Sequence, residues 1–553
     1  MFSEQIRITL AAALADFGLE AGDFSVELTG DLTHGDYATN AALVLAKKAG
    51  MKPRELAERI AAKLQTEGSK FFGKIEAAGA GFINFYLSPE FVAERVVEIA
   101  LAGQADFGRG DSLKGKKVMV EYTDPNPFKE FHIGHLMNNA IGESISRLIE
   151  FQGAEVRRAC YQGDVGLHVA KAVWGFQRTG DWLKAYPFGA RAYAAEETAK
   201  KEIEAINVKI YSRADQSLNK IYDEGREWSL GEFEKIYARL GTKFDYYFFE
   251  SEVGESGKKI VKQNTGTVFE ISDGAVVFRA ERFNPKLHTR VFITSLGLPT
   301  YEAKELGLHA VKAKTYPADL SVIVTAREQN AVFAVGLEAL KHLNPDLVDK
   351  VRHLSHGMLR LPSGKMSSRT GDVITAESLI NKVAGIVAEK IKDRDFPEKE
   401  KKNISEAVAV GAVKYSILRQ AIGGDIEFDF NKSISFEGDS GPYLQYSCVR
   451  AMSVLKKTPT AGWGVKPPRT PAGRLERLLL RFPEVADRAA SEYAPHRIAS
   501  YLVTLAGAWN GFYAKNKIIG SPEESYRLAL TGAVFTALKN GLFLLGIPAP
   551  ERM

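Results

Sequence analysis

Apolar residues recur along most of this chain at spacings of three and four, broken by short stretches where they alternate or run together. Ile6, Leu10, Leu14 and Phe17 share one face of a helix near the start. A second helix is expected over residues 53–65, with Pro53 in its first turn. Phe82, Asn84 and Tyr86 alternate with Ile83, Phe85 and Leu87, which is the pattern of a strand. The Gly- and Asp-rich run 103–115 breaks the periodicity and reads as a domain boundary.

Beyond it, residues 117–122 (Lys-Val-Met-Val-Glu-Tyr) predict a strand, followed by the Pro-rich turn Asp124-Pro-Asn-Pro127. A helix should follow over 136–152, because Ile141, Ile145, Leu148 and Ile149 lie on one face. Strand, turn and helix form the opening unit of a nucleotide-binding α/β sheet, whose ligands lie at strand carboxyl ends. Residues 156–160 and 320–324 are expected as further strands, and 329–343 as a helix. Between them, 181–255 is polar, helical and dense in Lys and Glu, an insertion between two sheet halves; 267–278 and 291–294 regain strand character. The charged run 392–402 is expected to link elements on the surface. After residue 441 the pattern is helical, and a helix from Pro495 aligns Ile498, Leu502, Leu505, Trp509 and Phe512; residues 458–473 form a Pro/Gly-rich loop. The expected fold class is α/β, with domains at 1–110, 111–375 (carrying an insertion at about 181–290) and 376–553.

Composition narrows the setting. The 553 residues, 45% hydrophobic and 25% charged, match ordinary globular proteins and suggest about three or four domains. Cys160 and Cys448 are the two cysteines and neither belongs to a CxxC pair, which argues against a disulfide framework or a thiolate zinc site and for a reducing compartment. No apolar run reaches the roughly 18 residues that span a bilayer. The nearest, 528–547, is broken by Lys539 and Asn540. Glu4 and Arg7 in the first helix do not suit a secretory signal. A soluble cytoplasmic chain is expected. The net charge of +5 is uneven: residues 441–553 hold 15 Lys+Arg against 7 Asp+Glu. A basic helical region on a near-neutral body suits a phosphate backbone.

Two motifs carry chemistry. In Phe131-His-Ile-Gly-His-Leu136, two imidazoles share one face at a helix start, beside unpaired backbone N–H groups and the positive end of the helix dipole. Gly134 between them would permit close approach of a base or ribose. The second motif, Gly364-Lys-Met-Ser-Ser-Arg369, is a small-residue loop whose Lys365, Ser367 and Arg369 offer cations and hydroxyls to a polyphosphate. The two lie about 230 residues apart, on either side of the insertion.

This pair resembles the HIGH and KMSKS signatures of class I aminoacyl-tRNA synthetases. Their surroundings are similar to one family in particular, the arginyl-tRNA synthetases. Val120-Glu-Tyr-Thr-Asp-Pro-Asn126, Gly297-Leu-Pro-Thr-Tyr-Glu-Ala-Lys-Glu305, Ser355-His-Gly-Met358, Gly441-Pro-Tyr-Leu-Gln-Tyr446, Gly81-Phe-Ile-Asn-Phe-Tyr86 and the ending 544–553 carry the resemblance, in order, over nearly the whole chain. It implies a Rossmann-type parallel-sheet catalytic domain, an α+β N-terminal domain that touches the tRNA corner, and an all-α anticodon-binding C-terminal domain. It also implies ATP, Mg2+ with the ATP, L-arginine and tRNA(Arg) as partners, and tRNA binding before activation. No membrane or DNA partner and no protein-held metal are expected, and a monomer is.

By the same resemblance, Lys129, His132, Gly134, His135, Lys365 and Ser367 handle ATP phosphates, with His132, His135, Lys129 and Lys365 catalytic, and His356 and Met358 read the adenine edge. Glu121 and Asn126 hold the amino and carboxylate groups of arginine, while Tyr301, Glu305 and Gln329 hold its side chain. A carboxylate matches the planar donor fork of a guanidinium. Tyr443, Tyr446, Trp509 and Tyr513 are candidate platforms for unstacked tRNA bases. Two departures stand out: Glu305 occupies a position where the family commonly has Asp, and Ser368 replaces the second lysine of KMSKS. Lys129 is expected to supply that missing charge. His168 reads as structural, and 162–166 (Gln-Gly-Asp-Val-Gly) as a family segment without an assigned role. The alternatives are a cysteine or lysine enzyme of the same class, a small-molecule nucleotidylyltransferase, and a synthetase-like tRNA-binding protein without charging activity.

Overall fold

The structure, a computed structural model, describes residues 2–20, 22–67, 71–101, 106–360, 374–458 and 472–553. The loop bearing Lys365 and Ser367, and most of the Pro/Gly-rich stretch 458–473, lie outside the described residues.

Three blocks follow one another. In the first, strands β1 (Val26–Leu28), β2 (Tyr37–Thr39), β3 (Phe72–Ala78) and β4 (Phe82–Leu87) form an antiparallel sheet in the order β1-β2-β4-β3. It packs with helices that include Phe2–Ala15 and Pro53–Glu67, as the periodicity predicts, and Ile6, Leu10 and Leu14 are fully buried.

The second block is built on a parallel sheet. Its strands are β5 (Lys117–Glu121), β6 (Glu155–Gln162), β7 (Tyr246–Phe249), β11 (Leu320–Ala326) and β12 (Val351–His356), ordered β12-β11-β5-β6-β7. The separate strands β8 (Glu270–Ser272), β9 (Ala275–Phe278) and β10 (Arg290–Ile293) make an antiparallel sheet of their own. The chain lays β5, β6 and β7 outward, then returns to place β11 and β12 on the other side of β5. The reversal between β5 and β11 opens a crevice at the strand carboxyl ends. Strand β7 lies within the stretch read as helical insertion; its Tyr-Tyr-Phe-Phe run follows three helices, Trp182–Ala195, Glu197–Ser212 and Gln216–Leu240.

Helix Ile133–Phe151, directly after the β5 turn, is buried on nearly every side. The reason lies in the third block. Helices Phe482–Ser491, Pro495–Lys515 and Glu524–Leu544 pack across it, Gly441–Leu455 packs on the last two of these, and Arg474–Leu480 and Glu524–Leu544 reach helix Pro89–Leu101 of the first block. Ser144 Oγ donates to the Leu544 carbonyl at 2.8 Å, and Ser112 Oγ to Asp487 Oδ1 at 2.7 Å. Arg481 donates to the Thr29 carbonyl at 2.7 Å, and Arg477 pairs with Asp36.

Candidate active site

The cleft begins where β5 ends. After Glu121 the chain turns through Thr123, Asp124 and Phe128, all with positive φ, and Lys129 N–H closes the turn on the Asn126 carbonyl at 3.2 Å. Helix Ile133–Phe151 then starts at its N-cap, His132. Gly134 N–H donates to His132 Nδ1 at 3.1 Å, and His132 N–H donates to His135 Nδ1 at 3.3 Å. This reciprocal cap satisfies two orphan donors and stacks the rings, with centroids 3.7 Å apart. Because each Nδ1 accepts a backbone proton, each neutral ring carries its own proton on Nε2. Burial, and next the Lys129 charge, hold His132 down at about 4; His135 is pushed well below the usual range by burial, His132 and Lys129. Both are neutral donors near pH 7. Gly134 matters for a reason other than ligand approach: a Cβ there would lie 2.8 Å from the His132 ring.

Lys129 is half-buried, with its ammonium 5.2 Å from the centre of the Tyr186 ring. Burial and the neighbouring Lys171 pull its pKa down, against Glu250. The second motif's loop is undescribed, but its exit is fixed to the first motif. Ile133 N–H donates to the Ile374 carbonyl (3.2 Å), Ala376 N–H donates to the Phe131 carbonyl (2.9 Å), and His132 bridges Thr375. Residues 374–376, which follow that loop, are thereby held against the first motif.

On the other flank, helix Tyr301–Thr315 brings Tyr301 and Glu305 to the end of β5. Glu305 is 4% exposed, and neither carboxyl oxygen has a well-aligned hydrogen-bond partner. Burial first, then the charge of Glu121, push it up to about 8, while the Tyr301 hydroxyl and Lys312 oppose the rise. The same carboxyl and burial push the Tyr301 hydroxyl well up. Asp124 is raised by burial and Glu121 even though its Oδ1 accepts Tyr161 N–H at 2.8 Å. Glu121 is buried against Lys312, with Oε2 and Nζ 2.9 Å apart. Asn126 packs over Gly163, where a Cβ would lie 2.5 Å from its Oδ1.

Gln329 sits half-buried in the short helix Arg327–Gln329 beyond β11. His356 ends β12, buried, with Nδ1 2.7 Å from the Gly357 carbonyl and Nε2 unpartnered. Met358 N–H donates to Asp425 Oδ1 (2.9 Å), and its carbonyl accepts from Ile426 N–H (2.8 Å).

Several cleft residues escape sequence reasoning. Tyr161, whose buried hydroxyl lacks a partner, comes from β6. Lys304 pairs with buried Glu250 at 2.6 Å. Asp124 and Lys312 complete the charge pattern around Glu305. Tyr161 carries one legible signal, its place beside the 162–166 segment. That segment is a hub: Asp164 accepts from Ser251 and Tyr222 and pairs with Arg226, and His168 Nε2 lies 2.8 Å from the Gly163 carbonyl.

In the third block Tyr443 and Tyr446 are half-buried and Tyr513 is 41% exposed. Arg450 lies over the Tyr446 and Tyr513 rings at 4.7 and 5.1 Å. Trp509 is fully buried, so its expected role as a base platform is corrected: its apolar ring fills the helical core.

Residues 97–430 match the family model for the catalytic domain of tRNA synthetases class I (R), residues 444–553 the DALR anticodon binding domain, and residues 4–87 the arginyl tRNA synthetase N terminal domain. The chain belongs to the arginyl-tRNA synthetase family. The arginine–tRNA ligase of Treponema pallidum is 30% identical, with 92% of each chain covered. The arginyl-tRNA synthetase of Thermus thermophilus superposes with a TM-score of 0.78 at 25% identity, over all of both chains. That of Plasmodium falciparum shares the fold, with a TM-score of 0.80 at 20% identity over 100% of this chain and 99% of its own. The parallel-sheet domain between an antiparallel-sheet domain and a helical one is thus the architecture of arginyl-tRNA synthetases.

Proposed function

We infer that this chain joins L-arginine to the 3′ end of its cognate tRNA in two ATP-driven steps. The arginine carboxylate attacks the α-phosphorus of ATP and pyrophosphate leaves. The terminal ribose hydroxyl of tRNA then attacks the adenylate carbonyl, and AMP leaves. One observation supports the reading: a buried carboxyl, Glu305, lies beside Glu121 at the end of β5, the strand whose exit turn leads into the doubly capped His132–His135 helix start.

The roles divide by chemistry. His132 and His135 give neutral Nε2–H donors beside the helix N-terminus, suited to charge developing on phosphate oxygens. Lys129 brings the cation that the loop lacks at Ser368, together with Lys365 and Ser367 from the loop itself; His356 borders the adenine side. Glu305 and Tyr301 take the guanidinium, with Gln329 at the rim, and Glu121 and Asn126 orient the α-amino and carboxylate ends. Little covalent work falls to the protein, so positioning and electrostatics supply the rate. Among the described residues no cluster of three His, Cys, Asp or Glu forms a metal cage. Mg2+ would enter with ATP, held by its phosphate oxygens, and no step runs through it. Tyr443, Tyr446 and Tyr513 on the basic third block are the remaining platforms for anticodon-region bases. A cytoplasmic monomer acting on neither DNA nor membrane completes the reading; no helix among the described residues is long and apolar enough to cross a bilayer.

The test is pyrophosphate exchange across the amino acids, with and without total tRNA. Exchange with arginine, and only in the presence of tRNA, is expected. Exchange driven by lysine or cysteine would overturn the specificity, and ATP binding without any exchange would favour a non-charging tRNA binder.

A further inference from the structure

The turn leaving β5 is the most strained segment of the cleft. Thr123, Asp124 and Phe128 have φ of 82°, 45° and 69°. Left-handed backbone at a β-branched residue such as Thr123 persists only where the surroundings over-determine it. Two adjacent asparagines of the histidine helix do so. Thr123 N–H donates to Asn138 Oδ1 (3.0 Å), and Asn138 Nδ2 donates to the Val324 carbonyl of β11 (2.8 Å). Thr123 Oγ1 accepts from Asn139 Nδ2 (3.0 Å), while Asn139 Oδ1 accepts from Thr242 Oγ1 (3.0 Å). None of these five residues is more than 7% exposed.

Thr242 follows the end of helix Gln216–Leu240, and that end is held from the far side. The Leu240 carbonyl accepts from Lys414 Nζ (2.6 Å), and the Gly241 carbonyl accepts from Arg147 Nη2 (3.0 Å). Fully buried Lys414 also donates to the Gly546 carbonyl (2.8 Å), and Arg147 to the Phe543 carbonyl (2.9 Å). Gly546 is left-handed (φ 64°), and a Cβ there would lie 2.8 Å from Lys414 Nζ, so the terminal turn approaches the lysine only as glycine. Buried polar contacts and one short backbone step therefore run from residues 543–546 to the strained turn.

We propose that Asn139 and Thr242 are positioning residues for the arginine half of the cleft, holding the β5 turn in its left-handed form, and that Lys414 ties this hold to the C-terminal domain. The inference rests on the arginine-activating reading given above. The side-chain hydrogen bonds of Asn139 and Thr242 run to Thr123 and to each other, not to the histidine rings, so loosening them should disturb arginine and spare ATP. It also makes the turn that ends helix Glu524–Leu544 a lever on arginine affinity.

The test uses the full chain carrying Thr242→Val, which keeps the shape and removes the hydroxyl, beside Thr242→Ser, which restores it. Losing one buried hydrogen bond is worth about a tenfold rise in the KM for arginine, with the KM for ATP within about twofold of wild type and Thr242→Ser back near wild type. Lys414→Met should raise the arginine KM selectively in the same way; the Thr242 pair decides alone if that variant does not fold. An unchanged arginine KM in Thr242→Val, an equal rise in both KM values, or no recovery in Thr242→Ser would each overturn the proposal. A wild-type chain that activates no arginine would instead overturn the underlying reading.

Discussion

The two halves of the cleft solve opposite electrostatic problems. On the phosphate side, the described groups are backbone N–H donors and two imidazoles kept neutral by burial and by Lys129. They are satisfied before any ligand arrives, because each Nδ1 already caps the helix. On the arginine side, Glu305, Glu121 and Asp124 crowd together away from solvent with Lys312 as the counter-charge among them. That half holds like charges at close quarters, and on the function proposed above a guanidinium would relieve them. The phosphate side is thus preorganised for a developing charge, whereas the arginine side stores a standing demand for a cation.

Removing that demand should give the largest effect. Glu305→Gln keeps the shape but deletes a buried charge partner, a change worth roughly 2–5 kcal/mol. The expected kcat/KM for arginine falls about 10²- to 10³-fold, with the ATP KM nearly unchanged. Since the folded chain then no longer buries an ionisable carboxyl beside Glu121, the melting temperature should hold or rise. A parallel loss in ATP binding would show that the halves are not separable.

The mirror experiment acts on the other side. His132→Asn retains a side chain able to cap the helix but loses the Nε2–H donor. The expected kcat falls about 10²-fold, with the arginine KM unaltered and the helix intact by circular dichroism. A rise in arginine KM instead would place His132 outside the phosphate half.

A pH series sharpens the contrast without mutation. Glu305 is held up to about 8, so below that pH the pocket is largely protonated and must release the proton when a guanidinium enters. The arginine KM should therefore fall as pH rises from 6 to 8, by up to about tenfold per unit, and level off above. The ATP KM should stay flat over the same range, because both histidines are already neutral there. The stability sign runs the other way: a carboxyl raised in the folded state favours folding below the unfolded carboxyl range, and this is lost as pH climbs through about 8.

The two halves also differ in how much of them the sequence could disclose. The phosphate side is contiguous. Strand, Pro-rich turn and His-x-Gly-His lie within twenty residues, so local rules place them, and helix Ile133–Phe151 and strand β5 appear where periodicity expects them. The arginine side is assembled from β5, β6 and helix Tyr301–Thr315, which only the sheet order brings together. Glu305 was reachable by resemblance, but Asp124, Tyr161 and Lys312 acquire meaning only through burial beside it. Strand β7 was hidden because its four residues follow three polar helices, so local composition outvoted it. Trp509 shows the reverse error, in which a residue of the right type has its ring already committed inside the fold.

The smallest expected effect carries the comparison to the third block, where Trp509 and Tyr513 sit one helical turn apart. Their ring centroids are 5.8 Å apart, yet one is fully buried and the other 41% exposed. Trp509→Ala would open a core cavity and destabilise by about 3–5 kcal/mol, lowering the melting temperature while the folded fraction binds tRNA normally. Tyr513→Ala removes no core contact of that kind but takes away the outer face over which Arg450 lies. Base–aromatic stacking is worth about 1–3 kcal/mol when a base uses the whole ring. A ring that is less than half exposed should give the lower end, so about a fivefold rise in tRNA KM is expected, with melting unchanged and tRNA-saturated kcat preserved. If Tyr513→Ala leaves the tRNA KM untouched while Tyr446→Ala raises it, the base platform lies on the inner ring of the Tyr446–Arg450–Tyr513 stack, and exposure alone is not what selects it.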